Sequence, residues 1–226
     1  MAKRLLLLFL LPLLVSCKKH DYTPGTSILT FNNVVILGNS ITFAPHNTET
    51  GWYGDWGMAA TSEDLDYVHI LTRYFRVKNP DVTVTVRNIG AFEVDAISYD
   101  FDTNLKDLRV LKPDLLILRI GEDVPKYADL QVFDERYTAL INYFKAVNPH
   151  IIILSVGSVW GSHVDPLMQS HPPYVLLSSM INDMTNFSFG MWTSFGIELH
   201  PCNKGMQNIA ARLWDKISAF TENDRK

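Results

Sequence analysis

Two side chains of this 226-residue sequence have the chemistry of a nucleophile and its base. Ser40 lies in a turn of small residues, and His200 lies near the end of the chain. A serine hydroxyl becomes a nucleophile when a base accepts its proton and hydrogen-bond donors stabilise the resulting oxyanion. Two further loops, NIGAFE at 88–93 and GED at 121–123, are candidates to carry such donors. These residue types predict acyl-transfer chemistry at Ser40.

Short apolar runs precede these loops and are typical of buried strands. They are rich in valine, isoleucine and leucine without clean alternation, as expected of strands covered on both faces of a parallel sheet. The runs span residues 34–37, 82–86, 115–120 and 151–156, and a weaker fifth candidate spans 175–177. The sequence therefore predicts a sheet of roughly five strands.

Segments with helical spacing separate the apolar runs. Apolar side chains recur at intervals of three and four residues in 64–78, 129–147 and 204–220. An Asn-Pro pair follows each of the first two segments and marks its end. This alternation predicts one α/β domain of three layers, α/β/α, with a mainly parallel sheet. Ligands of such sheets bind at the carboxyl ends of the strands, where Ser40 lies.

Four short motifs resemble, in their order along the chain, those of the SGNH (GDSL-type) hydrolases, most closely a group of lipoproteins from Bacteroidetes-like bacteria. The motifs are Gly38-Asn39-Ser40, Gly90, Gly121-Glu122-Asp123 and His200. The resemblance covers about residues 33–217 and implies the flavodoxin-like fold of that family. It implies that Ser40 is the nucleophile and that His200 is its base. It also implies an oxyanion hole formed by the backbone N–H groups of Ser40 and Gly90 and by the residue at position 123. No G-x-S-x-G motif occurs in the sequence, which argues against an α/β-hydrolase.

Two residues depart from the family pattern. Asp123 stands where the family has an Asn that donates to the oxyanion, and losing one such donor typically costs on the order of a hundred- to a thousandfold in rate. Ile197 stands where an Asp normally orients the histidine, a role whose loss costs about ten-thousandfold in a serine protease. Asp123 can still donate if an apolar site keeps it protonated. A backbone carbonyl or Glu198 is an alternative partner for His200.

The first residues resemble a lipoprotein signal peptide. Lys3 and Arg4 precede the apolar run 5–15, which is too short to span a bilayer, and Cys17 follows a small residue as in a lipobox. We therefore expect residues 1–17 to be the signal peptide and its lipid-modified Cys17. The polar stretch 18–30 is predicted to be a flexible tether, and 31–226 the folded domain. The implied location is the cell envelope, with the protein anchored to the membrane on the periplasmic or cell-surface side.

Composition and cysteine usage narrow the function further. The net charge is −4 and no nucleic-acid-binding motif is present, so we expect no nucleic-acid partner. If Cys17 is lipid-modified, Cys202 has no cysteine with which to form a disulfide. We therefore expect Cys202 to be a small buried residue of the core. No cysteine or histidine spacing is typical of a metal site, and we expect no metal and no cofactor.

Three functions are compatible with these residues. The first is a serine esterase acting on a small acyl ester or an acylated glycan, such as the O-acetyl groups of polysaccharides. The second is a catalytically impaired, glycan-binding surface lipoprotein, which the replacements at 123 and 197 favour. The third is a purely structural envelope protein. Loop aromatics could bind sugar rings, although core packing is the commoner role for them. They are Trp52, Tyr53, Trp56, Phe92, Trp160 and Trp192.

Overall fold

The computed structural model describes residues 29–225, which form a single five-stranded sheet between two layers of helices. All strand pairs are parallel, and the strand order is β2-β1-β3-β4-β5. The strands are β1 (Asn33–Gly38), β2 (Thr83–Asn88), β3 (Leu115–Arg119), β4 (Ile152–Val156) and β5 (Tyr174–Val175). The predicted three-layer α/β/α architecture is confirmed.

Helices cover both faces of the sheet. The seven α-helices of residues 29–225 are α1 (Tyr67–Lys78), α2 (Gly90–Val94), α3 (Phe101–Arg109), α4 (Leu130–Lys145), α5 (Asp165–Gln169), α6 (Phe195–Glu198) and α7 (Asn203–Ile217). Helices α1 and α7 bury their apolar sides against one face, and α2 to α5 against the other. In β1, for example, Val34 and Ile36 point into the first core, whereas Val35 and Leu37 point into the second. This two-sided burial explains the unbroken apolar runs of the central strands.

The structure differs from the sequence prediction mainly in the edge strand β2 and in the shorter helices. Strand β2 lies at the sheet edge and its residues are only partly buried, so it is not covered on both faces as predicted. Helices α2, α3, α5 and α6 were not predicted. Three of them have only four or five residues, and α3 buries only Leu105 and Leu108, so none shows a long apolar period.

The packed domain begins earlier than predicted. Leu29, which the sequence assigns to the tether, is 6% exposed, and its N–H donates to Phe220 O at 3.4 Å. The apolar side chain of Leu29 joins the core beside α7, so Leu29 belongs to the packed domain and not to the predicted tether. The predicted signal peptide, Cys17 and residues 18–28 of the tether lie outside the described residues. Among residues 29–225, no helix combines the length and the apolar character that a membrane span needs.

The strand register brings the predicted site loops to one edge. Gly38, the last residue of β1, lies beside Asn88 of β2 and Arg119 of β3, and Arg119 lies beside Val156 of β4. The loops that follow these four residues therefore leave the sheet side by side, and Ser40 lies only two residues after Gly38.

Candidate active site

Ser40 lies on a tight turn directly after β1. The N–H groups of Thr42 and Phe43 both donate to Asn39 O, at 2.9 and 3.0 Å, which closes the turn around Ser40. Gly38 permits this turn because a Cβ there would stand 1.9 Å from Thr42 Oγ1 and 2.7 Å from Arg119 O. The Ser40 side chain is partly exposed, so its hydroxyl is accessible from the cleft.

The structure brings Ser40 and His200 together. Ser40 Oγ lies 2.7 Å from His200 Nε2, and the other ring nitrogen, Nδ1, lies 2.8 Å from Gly196 O. A carbonyl oxygen can only accept, so Nδ1 carries the hydrogen. In the neutral ring Nε2 is then the acceptor, and the Ser40 hydroxyl donates to it. This is the proton arrangement that a serine nucleophile requires.

A backbone carbonyl takes the place of the usual carboxylate behind His200. Ile197 is 2% exposed and packs in an apolar cluster with Ala44, Trp52 and Ala59. The alternative Glu198 accepts from Gly190 N at 2.8 Å through Oε1, so this oxygen is engaged away from the His200 ring. Short helix α6 presents Gly196 O to the ring. Of the two alternative partners, the carbonyl is the one found.

Burial lowers the pKa of His200 below its ordinary value, and the nearby Arg119 guanidinium lowers it further. The hydrogen bond to Gly196 O favours the protonated ring and offsets part of this effect. The ring is therefore neutral at pH 7, which is the form that can accept a proton from Ser40.

A buried ion pair fixes the residue before Ser40. Arg119 is fully buried and pairs through Nη2 with Glu122 Oε1. Its Nη1 donates to Asn39 Oδ1 at 2.7 Å, while Asn39 Nδ2 donates to Glu122 Oε2 at 2.8 Å. Asn39 Oδ1 also accepts from Ile41 N at 3.2 Å, on the far side of Ser40. This Arg119–Glu122–Asn39 network, called the clamp below, holds Asn39 and Ile41, the two chain neighbours of Ser40, in place.

The predicted oxyanion hole is only partly available. Within residues 29–225, Ser40 N–H donates to no protein acceptor and is free for an oxyanion. Gly90 N–H, in contrast, donates to Asn88 Oδ1 at 2.8 Å, so its role in the oxyanion hole stays a prediction. The Asp123 carboxyl lies next to Gly90, since a Cβ on that glycine would stand 3.4 Å from Asp123 Oδ2.

A buried glutamate, which the sequence did not single out, supports the loop that carries Asp123. Glu93 is 1% exposed, and its Oε2 accepts from Gly121 N at 2.7 Å and from Asp123 N at 2.9 Å. Its Oε1 has no hydrogen-bond partner among the described residues. Burial raises the pKa of Glu93 to about 8, and the Glu122 carboxylate adds to the rise.

The surroundings of Asp123 disfavour its ionised form relative to a solvent-exposed aspartate. Desolvation in the cleft raises the pKa of the Asp123 carboxyl above its ordinary value, and the Glu122 carboxylate raises it further. A protonated carboxyl can donate a hydrogen bond to an oxyanion, whereas an ionised one repels it.

The fold matches that of solved esterases. A two-domain esterase active on acetylated mannans superposes with a TM-score of 0.54 at 17% identity, over 84% of this chain and 50% of that chain. TesA gives a TM-score of 0.52 at 13% identity, over 82% of this chain and 98% of that chain. A putative GDSL-like lipase from Parabacteroides merdae gives 0.55 at 14% identity, over 86% and 99% of the two chains. The chain has the SGNH hydrolase fold. It spans half the length of the two-domain esterase. The sequence matches no protein-family model and no curated protein.

Other residues considered from the sequence lie apart from Ser40 and His200. Cys202 is buried, and its Sγ donates to Thr185 O at 3.2 Å, so it is a packing residue. Trp52 and Phe92 lie in the core. Between residues 29 and 225, no cluster of three or more histidine, cysteine or acidic side chains has the geometry to hold a metal ion.

A cavity of about 510 Å³ lies between the loops after β3 and β4, and two of its wall residues contact chain neighbours of Ser40 and His200. Its wall residue Glu122 contacts Asn39, the neighbour of Ser40, through the clamp. Its wall residue Trp160 donates from Nε1 to Leu199 O, next to His200, at 3.0 Å. Of the loop aromatics considered from the sequence, Trp160 is the one that lines this cavity.

Proposed function

We propose that this protein is a serine esterase that hydrolyses acyl esters by a Ser40–His200 dyad. The observation that carries the proposal is the continuous chain from Ser40 Oγ to His200 Nε2 and from His200 Nδ1 to Gly196 O, at 2.7 and 2.8 Å. These contacts fix both the position and the tautomer of the base, as catalysis by a hydroxyl nucleophile requires.

The dyad performs the reaction in two halves. Ser40 Oγ attacks the ester carbonyl carbon as its proton moves to His200 Nε2, and Gly196 O stabilises the imidazolium through Nδ1–H. The tetrahedral intermediate collapses, and Nε2–H gives its proton to the departing alcohol oxygen. Water then attacks the acyl group on Ser40, again with His200 as base. The acid leaves and Ser40 is regenerated.

The oxyanion is held by an unusual set of donors. Ser40 N–H supplies one, since no protein acceptor among residues 29–225 occupies it. Asp123 supplies a second whenever its carboxyl is protonated, at the position where SGNH hydrolases have an Asn. The raised pKa of Asp123 supports this assignment.

O-acetyl groups on polysaccharides are the substrates that we propose. The two-domain esterase of the same fold acts on acetylated mannans, and another neighbour is a carbohydrate esterase of family 3 from Talaromyces cellulolyticus. We further propose that Cys17 is lipid-modified and that the domain works at the cell envelope, as the N-terminal sequence indicates.

Hydrolysis of small acetate esters by the purified protein tests this function. We expect Ser40→Ala to lower kcat on the order of a thousandfold or more, because the nucleophile and its base act as a unit. Ser218→Ala, at the end of α7 and remote from the cleft, is the matched control and should retain full activity. Equal rates for parent and Ser40→Ala would contradict the proposal.

A second function, binding of acylated glycans without turnover, is favoured by one specific observation. Gly90 N–H is engaged by Asn88 Oδ1, and the adjacent position 123 carries an acid, so few donors remain for an oxyanion. A protein of this kind would bind acetylated oligosaccharides in calorimetry and leave them intact. Detectable Ser40-dependent turnover would reject it.

A further inference from the structure

The cavity beside the dyad has one aromatic wall and several polar ones. Trp160 forms the aromatic wall, and Glu122, Lys126, Ser162 and His163 are among the polar residues around it. Its volume of about 510 Å³ falls within the range of small-molecule sites, which is roughly 300–1,000 Å³. Such a lining suits a ligand that has both an apolar face and many hydroxyl groups.

Trp160 is held rigidly in this wall. Its ring stacks on Phe187 with centroids 4.1 Å apart and an interplanar angle of 27°. The hydrogen bond from Nε1 to Leu199 O fixes the rotation of the indole. Trp160 N donates to Ser158 Oγ at 3.1 Å, which fixes the backbone as well. An aromatic platform fixed in this way loses little conformational freedom when a ligand packs on it.

The position of the wall relative to His200 decides which part of an ester it can bind. His200 Nε2 must protonate the departing alcohol oxygen, so the alcohol part lies on the histidine side of Ser40. Trp160 is tied to Leu199, the residue next to His200. Trp160 therefore forms the wall of the cavity on the histidine side, and Glu122, the residue before Asp123, forms another wall.

We propose that this cavity is the subsite for the sugar ring that bears the ester oxygen, with Trp160 as its stacking platform. The proposal rests on the proposed esterase function, and it adds that the preferred alcohols are pyranosides. Neutral sugars offer apolar C–H faces for the indole and hydroxyl groups for Ser162 and His163. Glu122 Oε1 and Oε2 are engaged by the clamp and by Val159 N, so this acid mainly shapes the floor.

The test compares two acetate esters that differ in the alcohol. Methyl acetate has no ring, whereas 6-O-acetyl methyl mannoside carries a pyranose. We expect Trp160→Ala to lower kcat/KM about tenfold more for the mannoside than for methyl acetate, through KM. Trp214→Ala on α7, which removes an indole far from the cleft, should affect both esters alike. Equal effects of Trp160→Ala on the two esters, or none, would overturn the subsite.

Two further measurements keep the test decisive. His163 is exposed, so His163→Trp fills the mouth of the cavity without touching the core, and it should also weaken the mannoside selectively. Calorimetric titration of Ser40→Ala with methyl mannoside and mannotetraose measures binding without turnover. Saccharide binding to Ser40→Ala that disappears in Ser40→Ala/Trp160→Ala supports the subsite, whether or not the parent is active. If the parent hydrolyses neither ester, that result rejects only the esterase function. No saccharide binding, together with no preference for the mannoside, would overturn it.

Discussion

His200 Nδ1 lies 2.8 Å from the carbonyl oxygen of Gly196, where a carboxylate stands in a complete catalytic triad. The carbonyl holds the ring in the correct tautomer and orientation, but it carries no full charge to stabilise the imidazolium. The base is therefore well placed and weakly basic, which agrees with the lowered pKa of His200.

The first prediction concerns the pH dependence of the esterase reaction. Only the neutral His200 ring accepts a proton, so activity falls as pH drops through its pKa. Because burial lowers that pKa below the ordinary value of 6.5, kcat/KM of Asp123→Asn, in which position 123 does not titrate, should remain on its plateau to a pH below 6.5. A pH–rate profile of acetate-ester hydrolysis measures this. A half-maximal rate above pH 6.5 would contradict the geometry.

Removal of the base gives the second prediction. We expect His200→Ala to lower kcat on the order of a thousandfold, within the range typical of a lost general base, with little change in thermal stability. His150→Ala, an exposed histidine that contacts Arg225 O, is the control and should retain the parental rate. A parental rate in His200→Ala would show that another group activates Ser40.

The third prediction concerns the acid at the oxyanion position. Asp123→Asn supplies an amide donor at every pH, whereas Asp123 can donate only when protonated. The variant should therefore exceed the parent in kcat by on the order of ten- to a hundredfold at pH 8, with a smaller gain at pH 5. Asp81→Asn, in an exposed turn before β2, should change neither rate. A gain that does not depend on pH would argue against protonation of Asp123.

The fourth prediction concerns the clamp behind Ser40. Arg119→Met leaves Glu122 buried without its cation, and breaking such a pair typically costs about 3–5 kcal/mol of unfolding free energy. Arg87→Met breaks the exposed pair with Asp107 and should cost under about 1 kcal/mol. Chemical denaturation measures both. Similar losses for the two variants would show that the Arg119 network contributes little.

Glu93 provides the fifth prediction, on stability against pH. Its pKa is raised from 4.5 in the unfolded chain to about 8 in the folded protein. The folded state therefore binds more protons in this window, and its contribution to stability is lost as pH rises from 4.5 to 8. Glu93→Gln keeps an oxygen acceptor for Gly121 N and Asp123 N and should abolish this loss.

Melting temperatures between pH 5 and 8 compare Glu93→Gln with the parent. The difference should increasingly favour Glu93→Gln toward pH 8. Glu135→Gln, on the exposed side of α4, should follow the parent at each pH. A parental slope in Glu93→Gln would assign the pH dependence to other groups.

The sheet and the dyad were predictable because their signals are local. The apolar runs of β1, β3 and β4 and the long helices α1, α4 and α7 show clear periods in the sequence. Ser40 follows a predicted strand, and its pairing with His200 was implied by the resemblance to the SGNH hydrolases. Helix α3 also carried a signal, since Asp100 caps it by accepting from Thr103 N at 2.6 Å.

The supporting groups could not be predicted because their partners are distant in sequence. Arg119 contacts Asn39 across 80 positions, and Glu93 contacts the amides of Gly121 and Asp123 across 28 and 30 positions. The orienting group of His200 is a backbone carbonyl, which has no signature in residue type. Likewise, the engagement of Gly90 N–H by Asn88 depends on a side-chain rotamer.

Covalent trapping of the nucleophile tests the central claim most directly. The parent protein is incubated with an alkyl fluorophosphonate, and its intact mass and peptide map are then measured. We predict a single phosphonyl adduct on Ser40, with its formation slowed at least a hundredfold in His200→Ala and absent in Ser40→Ala. No adduct, or an adduct on another residue at the same rate in all three proteins, would contradict the account.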